Sequence, residues 1–438
     1  MTDCNQALLA FLAESPSVFH ACKAMRRRLD EAGFTYLREG QRWSLRPGMN
    51  CYTVRNDSSL IAFRVPAEMR DYHFQLSAAH GDSPVYKVKA EPELSGAGGY
   101  VKLNVEAYGG MLDYTWLDKP LTVAGRVLVR TENGVVSRLV YPDRDLLLIP
   151  SVAIHMNREA NNGLRLNRQV DLCPLFSAGK LKPGDFDKLI AAELGVEPAD
   201  ILGKDLFLVN RQPGRVWGAE NEFLSAPKLD DLQAAFAALT GFLEAEGSGA
   251  VSVFCCFDNE EVGSNTKQGA MSTFLSDTLR RLNGALGYDT EDLHAALAKS
   301  FLVSFDNAHA VHPNHPELTD AANFCLLNKG VVIKENAAQK YTTDAFSRAV
   351  FREICQKADV PVQLFANRSD SAGGSTLGNL SNTQVSLHAL DIGLPQLAMH
   401  SAYETAGSAD TQYAVEALRC FYSTLLLLDE AAGFTLGS

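Results

Sequence analysis

Two adjacent glutamates, Glu260 and Glu261, follow an uncharged run from Val251 to Phe257. Paired in this way, one carboxylate can bind a metal ion while its neighbour moves a proton of a bound water. His80 and Asp82 stand two apart at the end of another apolar run. A carboxylate so placed can accept one ring N–H and hold the other nitrogen toward a metal. Asp230 and Asp231 directly precede an amphipathic stretch. There Asp230 either caps a helix or ligates a metal, two roles that compete for the same oxygens. Asp306 is followed by His309, His312 and His315 at a period of three, beside Pro313 and Asn314, a spacing that core packing does not explain. His400 and Ser401 close another apolar segment, with Glu404 beyond.

Five of these residues, His80, Asp230, Glu261, Asp306 and His400, each sit at the end of an apolar segment. Two imidazoles and three carboxylates form a mixed nitrogen and oxygen set suited to Zn²⁺, and Co²⁺ or Mn²⁺ can use the same ligands. Asp230 is best placed to bridge two zinc ions, with His80 and Asp306 on one and Glu261 and His400 on the other. Glu260 is then left to take the proton of a shared water and return it to a leaving amine. The implied reaction is hydrolysis of an amide next to a free amino terminus.

An uncharged run rich in Val, Phe and Cys, cut off by a polar turn, reads as a central strand buried on both faces. Its carboxylates emerge at the strand's C-terminal edge, where open α/β sheets place ligands. Further strands are expected in CYTVRN, SLIAFRV, YHFQLSAAH, FLVSF, GVVIK and PVQLFAN, and helices from about Thr266 to Leu282, Asp344 to Lys357 and Asp410 to Leu428. The fold expected is α/β, a mixed central sheet with helices on both faces. From Leu94 the character changes: GAGG and the Tyr108–Gly109–Gly110 stretch interrupt the chain, and Asn133-Gly134 marks a hairpin between alternating strands. This predicts a mostly-β domain over 94–219, inserted between catalytic parts 1–93 and 220–438. Its mouth is expected to overhang the active site or to make subunit contacts.

The chain has 438 residues and a net charge of -12, with its 40 Lys and Arg scattered, which argues against a nucleic-acid partner. The amino terminus lacks the basic start of a secretory signal, and the apolar run from Leu146 to Ile154 is too short to span a membrane, so a cytoplasmic location is expected. Nine cysteines without a CxxC pair read as reduced and mostly buried. Lys334 and Tyr341 either reach an anion or snorkel. Gly373, Gly374, Ser375 and Gly378 form a backbone-rich concavity for a carboxylate or a backbone group. His155, in IHMNR, suits a substrate contact or a structural hydrogen bond.

The chain resembles the aspartyl aminopeptidase and vacuolar aminopeptidase I family of dinuclear zinc aminopeptidases, the M18 peptidases. The likeness is carried by HGDSP at His80, IHMNR at Ile154, PKLDD at Pro227, FDNEEVGS at Phe257, DNAHAVHPN at Asp306, GVVIK at Gly330, GGSTLG at Gly373 and MHS at Met399. It implies a zinc exopeptidase-like fold with the five residues above as zinc ligands, Asp82 orienting His80, and Glu260 as general base. It further implies an inserted dimerisation domain and a homo-oligomer, a tetrahedral dodecamer built from dimers, acting on peptides. His155 would serve in or near the substrate pocket, and His312 would be lent to a neighbouring subunit. Lys334 and Tyr341 would lie near the substrate's first side chain, and Gly374 and Ser375 near its backbone. The chain departs from the family at Gly81, where Thr is usual, at Asp231 in place of Asn, and at Gly373 and Asn379 in place of Cys and Pro. Relatives divide between acidic and neutral amino-terminal residues. Lys334 points to acidic ones, since a partly buried ammonium seeks a carboxylate. The alternative is a dizinc enzyme for neutral residues or small acylated amino acids.

Overall fold

The computed structural model describes residues 2–437. A nine-stranded mixed sheet forms its centre, in the order Thr35–Tyr36, Asn50–Arg55, Ser59–Arg64, Val251–Phe257, Phe74–His80, Phe301–Phe305, His388–Gly393, Val331–Glu335 and Val362–Ala366. The four strands from Val251–Phe257 to His388–Gly393 run parallel, so their C-terminal ends share one edge.

Alternation along Val251–Phe257 explains its complete burial. Phe254 and Cys256 face one core, built with the helices Thr2–Ala13, Val18–Glu31, Leu229–Glu244, Ala345–Lys357 and Asp410–Ser423. Val251, Val253, Cys255 and Phe257 face the other, built with Phe274–Ala285 and Thr290–Ala298. Burying an aromatic such as Phe254 contributes about 1.5–3 kcal/mol relative to leaving it exposed. The helices thus cover both faces, and the α/β expectation holds.

A second, six-stranded antiparallel sheet contains Val85–Ser95, Val101–Tyr108, Leu121–Thr131, Gly134–Val140, Leu175–Ser177 and Ile201–Asn210, with its own core under the helix Asp185–Leu194. The hairpin expected at Asn133-Gly134 forms one residue earlier: Thr131 pairs with Gly134, so Glu132 and Asn133 make the two-residue loop and Gly134, at φ 129, opens the returning strand. A small five-stranded sheet joins the elements around the parallel edge. In it Phe223–Ala226 pairs antiparallel with Glu404–Gly407, Ala226 opposite Glu404, so the turn after Ala226 falls beside the turn before Glu404.

Two element boundaries differ from expectation. The helix expected from Thr266 begins at Phe274, because Gly269 lies so close to Ser264 that a Cβ there would stand 2.3 Å from the Ser264 carbonyl oxygen. The last helix ends at Ser423 rather than Leu428, and Leu425–Asp429 pairs with Gly433–Gly437 as a hairpin. A run of leucines fits a buried helix or a strand equally well, and pairing decided. All nine cysteines are free, and Cys4 and Cys420 are half-buried while the rest are buried. Among the described residues no helix is long and apolar enough to cross a membrane.

Candidate metal centre

The parallel edge gathers the predicted ligands. His80 is the last residue of its strand, Asp306 follows Phe305, and Glu260 and Glu261 lie one turn beyond Phe257. The turns that present the site bend through left-handed residues, Lys228 (φ 62), Asn259 (φ 62) and His400 (φ 65). Such conformations cost about 1–3 kcal/mol each and persist where the surroundings over-determine them. Here the buried Glu404 carboxylate does so, accepting hydrogen bonds from the backbone N–H of Asp230 at 3.0 Å and of His400 at 2.7 Å. One side chain therefore joins two ligand-bearing turns.

His80 Nδ1 lies 3.3 Å from Asp82 Oδ1, which leaves Nε2 directed at Asp230 Oδ1, 3.6 Å away. His400 Nε2 lies 3.3 Å from Asp230 Oδ2 and 3.5 Å from Glu261 Oε2. Asp82 also accepts from the backbone N–H groups of Glu260 and Glu261, both at 3.2 Å. Ligand atoms of His80, Asp230, Asp231 and Asp306 lie within 4.8 Å of one another, and so do those of Asp230, Glu261 and His400. Asp230 is common to these two groups, and a third joins His80, Glu260 and Glu261. Asp231 is already engaged, one oxygen accepting from the His80 N–H at 3.2 Å and the other from the Asn307 N–H at 3.3 Å.

The donor set fits a cation. Asp230 Oδ1 and Glu261 Oε1 are buried without a hydrogen-bond partner, an arrangement that is costly unless something positive sits beside them. Burial pushes the Glu260 carboxyl up to about 8, with the His80 ring acting the other way. Burial, reinforced by Asp230, lifts Glu261 well above the carboxylate range. Burial also raises Asp306, against the pull of Lys334. Asp230 goes the other way: burial opposes ionisation, but hydrogen bonds from His400 and His80 hold it well below the usual range. Burial disfavours the charged form of both rings, yet the aspartates around them raise His80 well above its ordinary value and Asp230 raises His400. Too much negative charge has been gathered into too little solvent, and protons or metal ions must balance it.

The remaining predicted residues fall elsewhere. Lys334 is 2% exposed, and its ammonium donates to the carbonyls of Asp306 at 2.7 Å and Asn307 at 3.2 Å, over the Tyr341 ring at 5.1 Å. His309, His312 and His315 line a cavity of about 280 Å³ that reaches Met399, next to His400. The His312 and His315 rings lie 5.2 Å apart. Gly374 and Ser375 are exposed, and Ser375 donates to Asn379. His155 belongs to none of the ligand groups: it is exposed in a loop with Val152, Ile154 and Met156, the last 83% exposed. Sequence reasoning passed over Glu404, Tyr108 and Asn259 as working residues. Glu404, four residues after His400 and beyond the apolar segment that His400 closes, was the one that carried a readable signal.

The family described as aminopeptidase I zinc metalloprotease (M18) matches residues 11–422. A probable M18 family aminopeptidase 2 of Clostridium novyi (strain NT) is 45% identical over 422 residues, covering 95% of this chain and 98% of that one. Among solved structures, one of a complex of Ape4 and Nbr1 is 35% identical with a TM-score of 0.93, over 96% of this chain and 86% of that one. The S. cerevisiae mApe1 dodecamer is 26% identical with a TM-score of 0.83, over 96% of each chain. Match to the family over nearly its full length, on a sheet edge that gathers a zinc-type donor set, makes this chain a member of the M18 family of zinc metalloprotease aminopeptidases.

Proposed function

We propose that the cluster holds two zinc ions and that the enzyme removes the amino-terminal residue of peptides with Glu260 as general base. The observation that carries this is Asp230, shared between two ligand groups while its Oδ1 and the neighbouring Glu261 Oε1 are buried and unpartnered. His80, Asp230 and Asp306 would hold one ion and Asp230, Glu261 and His400 the other. Bound there, zinc supplies Lewis acidity and lowers the pKa of a water. Glu260 shares a ligand group with His80 and Glu261 but none with Asp230, and its backbone is held by Asp82. Its carboxylate, at the edge of the cluster, is the one placed to take a proton from water and return it to the leaving amine. Asp82 orients His80. His155, Gly374 and Ser375 would contact substrate in or near its pocket, and His312 would be lent to a neighbouring subunit's site.

Preference for acidic residues belongs to the same proposal and rests on Lys334. An ammonium has three donors, two of which go to carbonyls here, leaving one for a substrate carboxylate over Tyr341. Asp306 Oδ1 at 3.8 Å competes for it, which favours the alternative of neutral residues. Asp-, Glu- and Leu-p-nitroanilides separate the two: faster turnover of the acidic pair is expected, and equal or better turnover of Leu would discard the acidic preference.

We further propose that residues 94–219 are a dimerisation domain and that the chain assembles as a homo-oligomer, a tetrahedral dodecamer. The exposed Val152, Ile154 and Met156 support this, since clustered apolar side chains on a loop mark an interaction surface. Light scattering is expected to give the mass of about twelve chains. A monomeric mass would leave His312 without a neighbouring site.

A further inference from the structure

We infer that Tyr108, with the turn that follows it, is a positioning residue through which the antiparallel sheet sets the geometry of a metal centre built on the other sheet. The inference rests on the reading of Asp82 as the group that orients His80.

Tyr108 ends the strand Val101–Tyr108, with its ring edge-on to Phe207 at 5.8 Å. Its hydroxyl lies 2.6 Å from Asp82 Oδ2 and 2.8 Å from Asn259 Nδ2. The direction of both bonds is fixed by what surrounds Asn259. Asn259 Oδ1 already accepts from Thr266 Oγ1 and Gln268 Nε2, both at 2.8 Å, so its Nδ2 must be the atom facing the phenol. The phenol oxygen accepts there, and its single proton goes to Asp82. A short O–H bond to a carboxylate is charge-assisted and stronger than a neutral one.

The Asp82 carboxylate thereby accepts three hydrogen bonds on two oxygens and lies against the His80 ring, whose Nδ1 is also 3.2 Å from the Asp82 main-chain carbonyl oxygen. Oδ1 faces His80 Nδ1 and the Glu260 N–H, while Oδ2 takes the Tyr108 hydroxyl and the Glu261 N–H. Without the hydroxyl the carboxylate loses its shortest hydrogen bond and keeps only the two backbone N–H groups at 3.2 Å, so its orientation loosens, and with it that of the His80 ring and the glutamate turn. The next residues extend the same grip. Gly109, at φ 82, lies so close to the glutamate turn that a Cβ would stand 3.1 Å from Glu261 Cβ and 3.2 Å from its carbonyl oxygen. Leu112 N–H donates to the His400 carbonyl at 3.0 Å, and Thr115 Oγ1 accepts from the Ala402 N–H at 2.9 Å. One short segment thus touches Asp82, Glu261 and the His400 turn.

The test is Tyr108→Phe in the full chain, loaded with zinc. Outer partners of metal ligands typically govern metal affinity or activity by about 10- to 100-fold. The expectation is kcat about tenfold lower with KM within about twofold, and zinc passing to a chelating dye about tenfold faster. The melting temperature of the chelator-treated protein should be unchanged, because a packing role would lower it. In Asp82→Asn, adding Tyr108→Phe should cause no further loss, since both act through one carboxylate. Wild-type kcat and zinc release in Tyr108→Phe would overturn the inference, and so would losses that multiply in the double variant or a lowered melting temperature without a change in kcat. Glu260→Gln run in parallel separates the two levels. If it stays active, the reading of the site fails; if it is inactive while Tyr108→Phe behaves as wild type, only the positioning inference fails.

Discussion

Glu260→Gln retains the zinc content of the wild type while kcat/KM falls by roughly 10²- to 10⁴-fold, the range that a general base supplies. The amide matches the carboxylate in size and still forms hydrogen bonds, so the turn held by Asp82 through the Glu260 and Glu261 N–H groups has no reason to move. What is lost is the capacity to accept a proton. Glu261→Gln gives the opposite pattern. Glu261 shares a ligand group with Asp230 and His400, and an amide there removes one anionic ligand, so zinc content drops together with activity. Elemental analysis beside steady-state kinetics reads both variants. Hydrolysis at the wild-type rate by Glu260→Gln would remove that residue from the chemistry, and equal zinc loss in the two variants would erase the division of labour between them.

How far such a site is legible in a sequence depends on the distance over which each residue acts. His80, Asp306 and Glu261 lie at or just beyond the ends of parallel strands, and the end of an apolar run is visible in one dimension. Asp230 was ambiguous for a stated reason, cap against ligand, and its geometry decides: its backbone is not helical (φ -83, ψ 108) and its carboxylate faces both imidazoles. Glu404 and Tyr108 work by closing hydrogen bonds to groups placed by other strands, so their role exists only once the chain is folded. Lys334 shows the same limit from the other side. A lysine in an apolar strand announces a partner but not which one, and here the partners are two carbonyls just beyond Phe301–Phe305, the next strand but one in the sheet. The leucines after Ser423, expected to continue the last helix, fit a strand as well and took the hairpin that pairing offered.

Removing the metal with a chelator abolishes activity and lowers the melting temperature, and the drop is larger at about pH 8 than at about pH 6. The sign follows from the groups at the site. In the metal-free protein Glu260 is raised to about 8 by burial, and Glu261 and Asp231 are raised well above the carboxylate range by the same cause. An acid whose folded pKa exceeds its unfolded value binds more protons in the folded state, so stability falls as pH rises between the two. His80 and His400 act in the same sense despite the opposing effect of burial: raised by their aspartates, they stabilise the fold below their unfolded pKa, and that is lost as pH climbs through the folded one. Asp230, held well below the usual range, is ionised throughout this window and contributes no slope. The metal-bound protein moves the opposite way, because ligands must be deprotonated and affinity rises with pH. At a free ion concentration about a thousand times Kd the linkage is worth about 4 kcal/mol. Melting curves with and without chelator at the two pH values, followed by readdition of zinc, read the difference directly. An equal drop at both, or a larger one at the lower pH, would mean that these carboxylates and imidazoles do not hold the ions.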